Sequence, residues 1–468
     1  MSDMELKING IGPINEADIK LGKLNIIGGQ NGSGKSTSSR LLYCFLYAAS
    51  PQGSEMFDDR IKKSVHLIGR FLTDGVVADI NQQVINKDDD GNKFKLTDEE
   101  METVNEIGEK IEKKFKNNTK TIRELLQLWY DLIDDLNIEG KDFYYNFLNN
   151  MYNETDEIRN KNKFLNLIGN ILYPREFGYH PFEDTFDIGT VCFSGKLDSD
   201  EDKRYKWTLY VGDDKSQENE SKNNISPEFS GNVSYIDTIS PLEALRFADS
   251  LRLPHHFRAL FKKLRDKSKI NEDDDEEFKY KLNKFQDKIS HLIDGKFEYT
   301  SNDLDMDEHT IVINNRKLDG FVYYKNNVPF NMKNSSSGSK QIGSIQMLLD
   351  NNQLVENDFL IIDEPEVNLH PEWQIELAEL LVQLVKDFNI TVYINSHSPQ
   401  FIEALEVFSV KYEIDEDTRF YMTVKNKDNG KFDFKEIYYS NIGEFYQGLA
   451  KPYDIINEVR LENNLKDL

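Results

Sequence analysis

The spacing of apolar positions divides the chain into stretches of different period. Over residues 4–28 the pattern predicts short strands at Glu5–Ile8, Ala17–Leu21 and Leu24–Ile27. A glycine-rich turn follows, and Ser36 onward reads as a helix to about Ser50. From there to about Leu172 the period is helical, most clearly over Thr97–Lys116 and Thr119–Leu136, where Glu and Lys separate the apolar positions. Strand signals return at Asp187–Ser194, Lys206–Val211 and Val233–Asp237. Helical stretches over Pro241–Lys269 and Glu276–Ile293 precede short strands near Phe297–Tyr299, His309–Asn314 and Gly320–Tyr324. The last third predicts a helix at Lys340–Asp350, a buried strand at Phe359–Ile362, a helix at Pro371–Phe388 and a second buried strand at Ile390–Asn395. A helix near Pro399–Leu405, strands near Arg419–Val424 and Phe432–Tyr438, and a helix from about Ile442 close the pattern. Strands alternating with helices imply an α/β sheet with crossover helices. Neither helical stretch sustains the heptads of a long coiled coil, and no internal repeat is visible.

Composition narrows the class. The 468 residues suffice for two or three domains' worth of core, with 38% hydrophobic and 30% charged positions. No apolar run approaches the ~18 residues that span a bilayer. The N-terminus carries no signal-peptide pattern, and Cys44 and Cys192 form no C-x-x-C pair, so a reducing cytoplasm without membrane contact is expected. The net charge of −26 argues against a surface broadly attractive to nucleic acid, though not against a local basic groove. The acidic runs Asp88–Asp90, Asp198–Asp202 and Glu272–Glu277 read as solvated loops without EF-hand spacing.

Four motifs carry chemistry. Gly29-Gln30-Asn31-Gly32-Ser33-Gly34-Lys35-Ser36, followed by Thr37, spells G-x-x-x-x-G-K-S between a strand and a helix. Its glycines let backbone N–H groups curl around phosphates, with Lys35 for the β- and γ-phosphates and Ser36 for Mg²⁺. The helix N-terminus adds unpaired N–H groups and a favourable dipole. Phe359-Leu360-Ile361-Ile362-Asp363-Glu364 sets two carboxylates after four apolar residues. Asp363 is the expected metal holder and Glu364 the residue that polarises the attacking water, because phosphoryl transfer needs positioning and charge neutralisation above all. His397 follows the next buried strand, within reach of a γ-phosphate. Asn334–Gln341, with Ser337, Gly338 and Lys340, is a small-residue loop before a helix and a second anion-binding N-terminus. Two chains packed head to tail would bring this loop to the other chain's triphosphate.

Together these residues resemble the ABC-type ATPase heads: Walker A at Gly29–Ser36, Walker B at Phe359–Glu364, the signature loop at Ser337–Lys340, the D-loop at Asn368–Leu369 and the switch histidine at His397. The stretch from Phe359 to Gln374 and the segment Ser396–Pro399 are similar to the OLD (overcoming lysogenization defect) ATPases and their SMC and RecF relatives. The resemblance covers about 1–50 and 300–406. It implies an α/β, ABC-type P-loop ATPase head, with a mixed central sheet, a small antiparallel β subdomain and helical insertions. On this reading 1–50 is the N-terminal part of the head, 51–180 a helical insertion, 181–240 a β segment returning to the head, 241–295 a second helical insertion and 296–468 the C-terminal part. It departs from the family at the signature, Ser-Gly-Ser-Lys in place of Ser-Gly-Gly-Gln, and at the Q-loop, for which Gln82 and Gln83 are the sequence candidates. Only 71 residues follow His397 (468 − 397), too few for the nuclease domain of OLD enzymes.

Within that group the chain looks like the stand-alone ATPases of antiphage systems of the Septu or PARIS type. That implies ATP and Mg²⁺ as cofactors, a homodimer or higher homo-oligomer, and a separate effector such as a nuclease or toxin. The alternative is a RecF- or SMC-like ATPase acting directly on DNA, which two basic stretches support: Lys110–Arg123 and Arg258–Lys269, the latter beside His255 and His256. A transporter subunit is disfavoured by the large middle region.

Overall fold

The computed structural model describes residues 4–53, 55–56, 168, 172–177, 189–197, 200–211, 229, 231–238, 253–268, 276–300, 312–313, 316–317, 320–326, 328–331, 335–443 and short pieces as far as 460. Contacts divide the chain into one unit formed by Met1–Pro51 with Phe164–Leu468, and another formed by Gln52–Lys163. Almost all described residues belong to the first. The helices Thr97–Lys116 and Thr119–Leu136, the run Asp88–Asp90, Gln82, Gln83 and the basic stretch Lys110–Arg123 lie outside the described residues.

Strands β1 (Glu5–Asn9), β2 (Ile14–Lys20) and β3 (Leu24–Gly28) lead into helix α1 (Lys35–Ala49). A short helix α2 (Tyr173–Phe177) precedes strands β4 (Gly189–Leu197), β5 (Asp200–Val211) and β6 (Val233–Ile236). Helices α3 (His255–Arg265) and α4 (Glu276–Leu292) follow, then strands β7 (Lys296–Thr300), β8 (Val312–Ile313), β9 (Arg316–Lys317), β10 (Gly320–Lys325) and β11 (Val328–Asn331). The last third holds α5 (Ser337–Asp350), β12 (Phe359–Asp363), α6 (Pro371–Phe388), β13 (Thr391–Ser396), α7 (Pro399–Lys411), β14 (Thr418–Lys425) and β15 (Phe432–Ile437).

Among the described residues one ten-stranded sheet runs β5-β4-β1-β2-β15-β14-β3-β13-β12-β6. From β6 through β12, β13 and β3 to β14 every pairing is parallel. Beyond β14 the sheet turns mixed: β14–β15, β2–β1, β1–β4 and β4–β5 are antiparallel. The residue patterns explain the division. Strands β3, β6, β12 and β13 are buried at every position, as central parallel strands covered on both faces must be. Strand β2 alternates from Glu16 on, with Ala17 and Ile19 buried and Glu16, Asp18 and Lys20 exposed.

Helices α3 to α7 cover one face, where Leu264, Leu348, Leu381, Leu384 and Leu405 are fully buried with Leu24, Ile26, Leu360 and Ile394. Each such side chain contributes about 2 kcal/mol of transfer free energy. The two helices of the segment expected as a second insertion, α3 and α4, place Leu260, Phe285 and Ile289 in this same core. A three-stranded antiparallel sheet, β11-β10-β7, docks on α5. There Gln346 bridges the backbone of Phe297, and a side chain at Gly343 would overlap the Phe297 ring.

Several boundaries differ from the sequence pattern. Helix α5 begins at Ser337, because Ser336 caps it by accepting the Ser339 N–H at 3.1 Å. Ser337–Lys340 is therefore the first helical turn and not a loop before it. Helix α7 continues to Lys411, past its last buried apolar side chain at Leu405; Ser409 is buried there, while Val407 and Val410 are exposed. Asp200–Asp202 lies in β5, where a solvated loop was expected; pairing with β4 overrides the low strand propensity of aspartate. Strands β9 and β11 were not anticipated, since hairpin pairing rather than local pattern creates them.

Candidate functional site: the strand ends around the P-loop

Strand β3 delivers the phosphate-binding loop between β13 and β14, at the C-terminal edge of the parallel strands. Gly32 and Gly34 take positive φ values of 74° and 97°. A Cβ at Gly29 would overlap the Thr423 hydroxyl, and one at Gly34 would meet Ile14 Cγ1 at 2.5 Å. At Gly29 and Gly34 the loop thus leaves no room for a side chain. Ser33 is buried against Thr423, while Gln30 and Asn31 are exposed. Lys35, only 4% exposed, donates to the carbonyls of Gly29 and Gln30, each at 2.9 Å. Burial pushes its pKa down, against the charges of Glu364, Asp363 and Glu366. Ser36 and Thr37 are half-buried on the first turn of α1.

Asp363 ends β12 beside this turn. Its carboxylate accepts from Asn395 Nδ2 at 3.0 Å and from Tyr235 Oη at 3.4 Å, and it hydrogen-bonds Ser36. Burial raises its pKa, offset by Ser36 and Asn395. Glu364 then adopts a left-handed backbone, φ 49°, with its N–H donating to the Asn395 carbonyl at 2.9 Å. A non-glycine residue there is unusual and re-aims the side chain at the strand end. His397, just past β13, places Nδ1 at 3.5 Å from Glu364 Oε1 and 3.6 Å from Glu366 Oε1. The hydrogen bond between Glu364 and His397 lowers the first pKa and raises the second.

The structure brings Lys35, Ser36, Asp363, Glu364 and His397 to one edge. It places Ser337, Gly338 and Lys340 elsewhere. A Cβ at Gly338 would overlap Leu369 and sit 2.9 Å from the Asn368 carbonyl, so the first turn of α5 packs on Asn368–Leu369. Lys340 is buried and Ser337 exposed. Gln341, one turn on, donates to the Asp363 carbonyl at 3.3 Å and ties this helix to β12.

Sequence patterns missed several participants. Glu366 Oε1 accepts from Ser396 Oγ at 2.6 Å, His397 N at 3.0 Å and Ser398 N at 3.2 Å. Asn395 joins Asp363 to Ser39. Strand β6, paired parallel to β12 with Ile236 beside Ile362, brings Asp237 and Thr238 next to Asp363; Thr238 Oγ1 lies 3.4 Å from the Asp363 carbonyl. No phosphate-binding pattern surrounds these residues in the sequence. The position of Glu366, two residues past Glu364, was the one available signal.

Of the second basic stretch, Lys263 is buried and donates to Val233 O and Ser234 Oγ, and His255 and His256 are buried too. Burial lowers the Lys263 pKa to about 8. Arg265 pairs with Asp266. Those four residues of α3 are therefore committed inside the protein or to an acidic neighbour.

A backbone cradle at a helix N-terminus, a buried lysine, and oxygen donors at Ser36 and Asp363 in mutual contact suit a magnesium-bound triphosphate and define a P-loop nucleoside triphosphatase. The family model described as AAA ATPase domain matches residues 4–402, and the chain belongs to that family. The solved structures similar to it include SMC head domains. The SMC head domain from Thermotoga maritima is 9% identical with TM-score 0.37, the match covering 92% of this chain and 98% of that one. An SmcHead bound to the C-winged helix domain of ScpA is 8% identical with TM-score 0.39, over 94% and 98%. An Smc head domain with an extended coiled coil, bound to the C-terminal domain of ScpA derived from Pyrococcus furiosus, is 8% identical with TM-score 0.37, over 98% and 100%. No curated protein matches the chain. No helix among the described residues is long and apolar enough to cross a membrane.

Proposed function

We propose that the protein is an ATP-hydrolysing switch whose two copies close around ATP and so control a separate effector. The observation that carries this reading is the convergence of Lys35, Asp363, Glu364 and His397 on one strand edge. Lys35 would leave the Gly29 and Gln30 carbonyls for the β- and γ-phosphates. Ser36 and Asp363 would hold Mg²⁺, which when bound neutralises phosphate charge. Glu364, kept ionised by His397, would orient the attacking water, and His397 would donate a hydrogen bond to the γ-phosphate. The first turn of α5, where Ser337 is exposed, would cap the triphosphate of the second copy.

The likeness to stand-alone ATPases of antiphage systems supports a nuclease or toxin as effector. A RecF- or SMC-like action on DNA is the competing reading, weakened by the burial of Lys263, His255 and His256. One experiment separates them. Glu364→Gln protein is purified with Mg·ATP, its co-purifying protein identified, and its DNA affinity titrated against salt. A stoichiometric partner protein supports the switch. DNA retention that falls steeply with salt, without a partner, overturns it.

A further inference from the structure

The mechanism above leaves one buried ionic cluster unused. His256, 1% exposed on α3, lies between two carboxylates. Its Nδ1 is 2.5 Å from Glu176 Oε2, its Nε2 is 3.3 Å from Asp237 Oδ2, and its backbone N–H donates to Glu176 Oε1 at 2.8 Å. Arg40, one turn into α1 from the P-loop, reaches the same Asp237 oxygen at 3.4 Å. The Thr238 N–H donates to Asp237 Oδ1 at 2.7 Å. A buried Glu–His–Asp set is costly to assemble unless every charge is paired, and here each one is.

The cluster sits at the hydrolytic edge. Strand β6 lies beside the Asp363 strand, and its last residue, Ile236, pairs with Ile362. Asp237 therefore emerges abreast of Asp363, and its charge acts on both Asp363 and Glu364. Its side chain keeps 13% exposure, while Glu176 is fully enclosed. A carboxylate balanced by Arg40 and His256 can accept hydrogen bonds from water without adding net repulsion toward a triphosphate. Glu176 belongs to α2, which is tied to the same edge through His256.

Resting on the reading above, we propose that Asp237 is a third carboxylate of the hydrolytic edge, ordering water beside Asp363, and that His256, backed by Glu176, is the positioning residue that fixes it.

The test is a double-mutant cycle on the full chain, with turnover and the affinity for a fluorescent ATP analogue measured for each variant. Asp237→Asn should lower kcat at least about tenfold while KM and analogue affinity move less than about threefold. His256→Gln, nearly isosteric, should lower kcat by a comparable factor, and the double variant should match Asp237→Asn within about twofold, because His256 acts through Asp237. Glu176→Gln serves in place of His256→Gln if the latter does not fold. Multiplying losses, or a kcat for Asp237→Asn within about twofold of the parent, overturn the proposal. Glu364→Gln in the same assay keeps the two readings apart. If it abolishes turnover while the cycle is additive, the triad alone fails; if it turns over ATP normally, the catalytic reading fails and the triad with it.

Discussion

The Glu364 carboxylate and the His397 imidazole face each other at 3.5 Å across neighbouring strand ends. Each favours the other's charged form: Glu364 lies below its ordinary 4.5 and His397 above its ordinary 6.5. The left-handed backbone of Glu364 makes the pairing geometrically available, since an extended residue there would continue the strand direction.

This pair sets a pH dependence of stability. The raised His397 contributes stability that is full below 6.5 and is lost as pH rises through its folded-state value. The depressed Glu364 contributes above 4.5 and loses its contribution as pH falls through its folded-state value. Melting temperatures of parent and His397→Gln should therefore differ most between those two values and converge toward alkaline pH. A difference that grows with alkalinity would contradict the assignment.

Glu366 gathers three donors on one oxygen at the entry to α7. Glu366→Ala strands Ser396, His397 and Ser398 and should cost about 2–4 kcal/mol in urea unfolding. Glu366→Gln keeps an acceptor and should cost about 1 kcal/mol. Equal losses for the two would show that hydrogen bonding there is not what matters.

Gly34, at φ 97° with Ile14 Cγ1 where a Cβ would stand, has neither the backbone nor the room for alanine. Gly34→Ala should destabilise the protein by about 1–3 kcal/mol and weaken binding of a fluorescent ATP analogue. Unchanged affinity with unchanged stability would mean the loop readjusts freely.

Ser337 is exposed on the first turn of α5, the surface assigned to the second copy's triphosphate. Ser337→Glu puts a negative charge there. It should abolish ATP-dependent dimerisation of the Glu364→Gln protein in sedimentation velocity while leaving ATP binding by the monomer intact. A dimer that persists would move the cap elsewhere.

Legibility differed by element. The P-loop, the pair Asp363–Glu364 and His397 stood out because a phosphate cradle or a carboxylate pair at a strand end is made by adjacent residues. Helix α6 was readable end to end: Pro371 opens it, and Asn389, at φ 53°, closes it. Asp237 and His256 looked like a strand end and part of a basic run, because nothing local marks them.

The chain by itself determined that a glycine-rich loop between strand and helix meets a triphosphate, since those residue types leave the backbone little other use. Only the tertiary structure decided which carboxylates stand at that edge. Asn395 reaches Ser39 across 356 residues, and Glu176 reaches His256 across 80. Such partners are chosen by strand order and helix packing, which depend on the whole buried core and leave no spacing for a local pattern to betray.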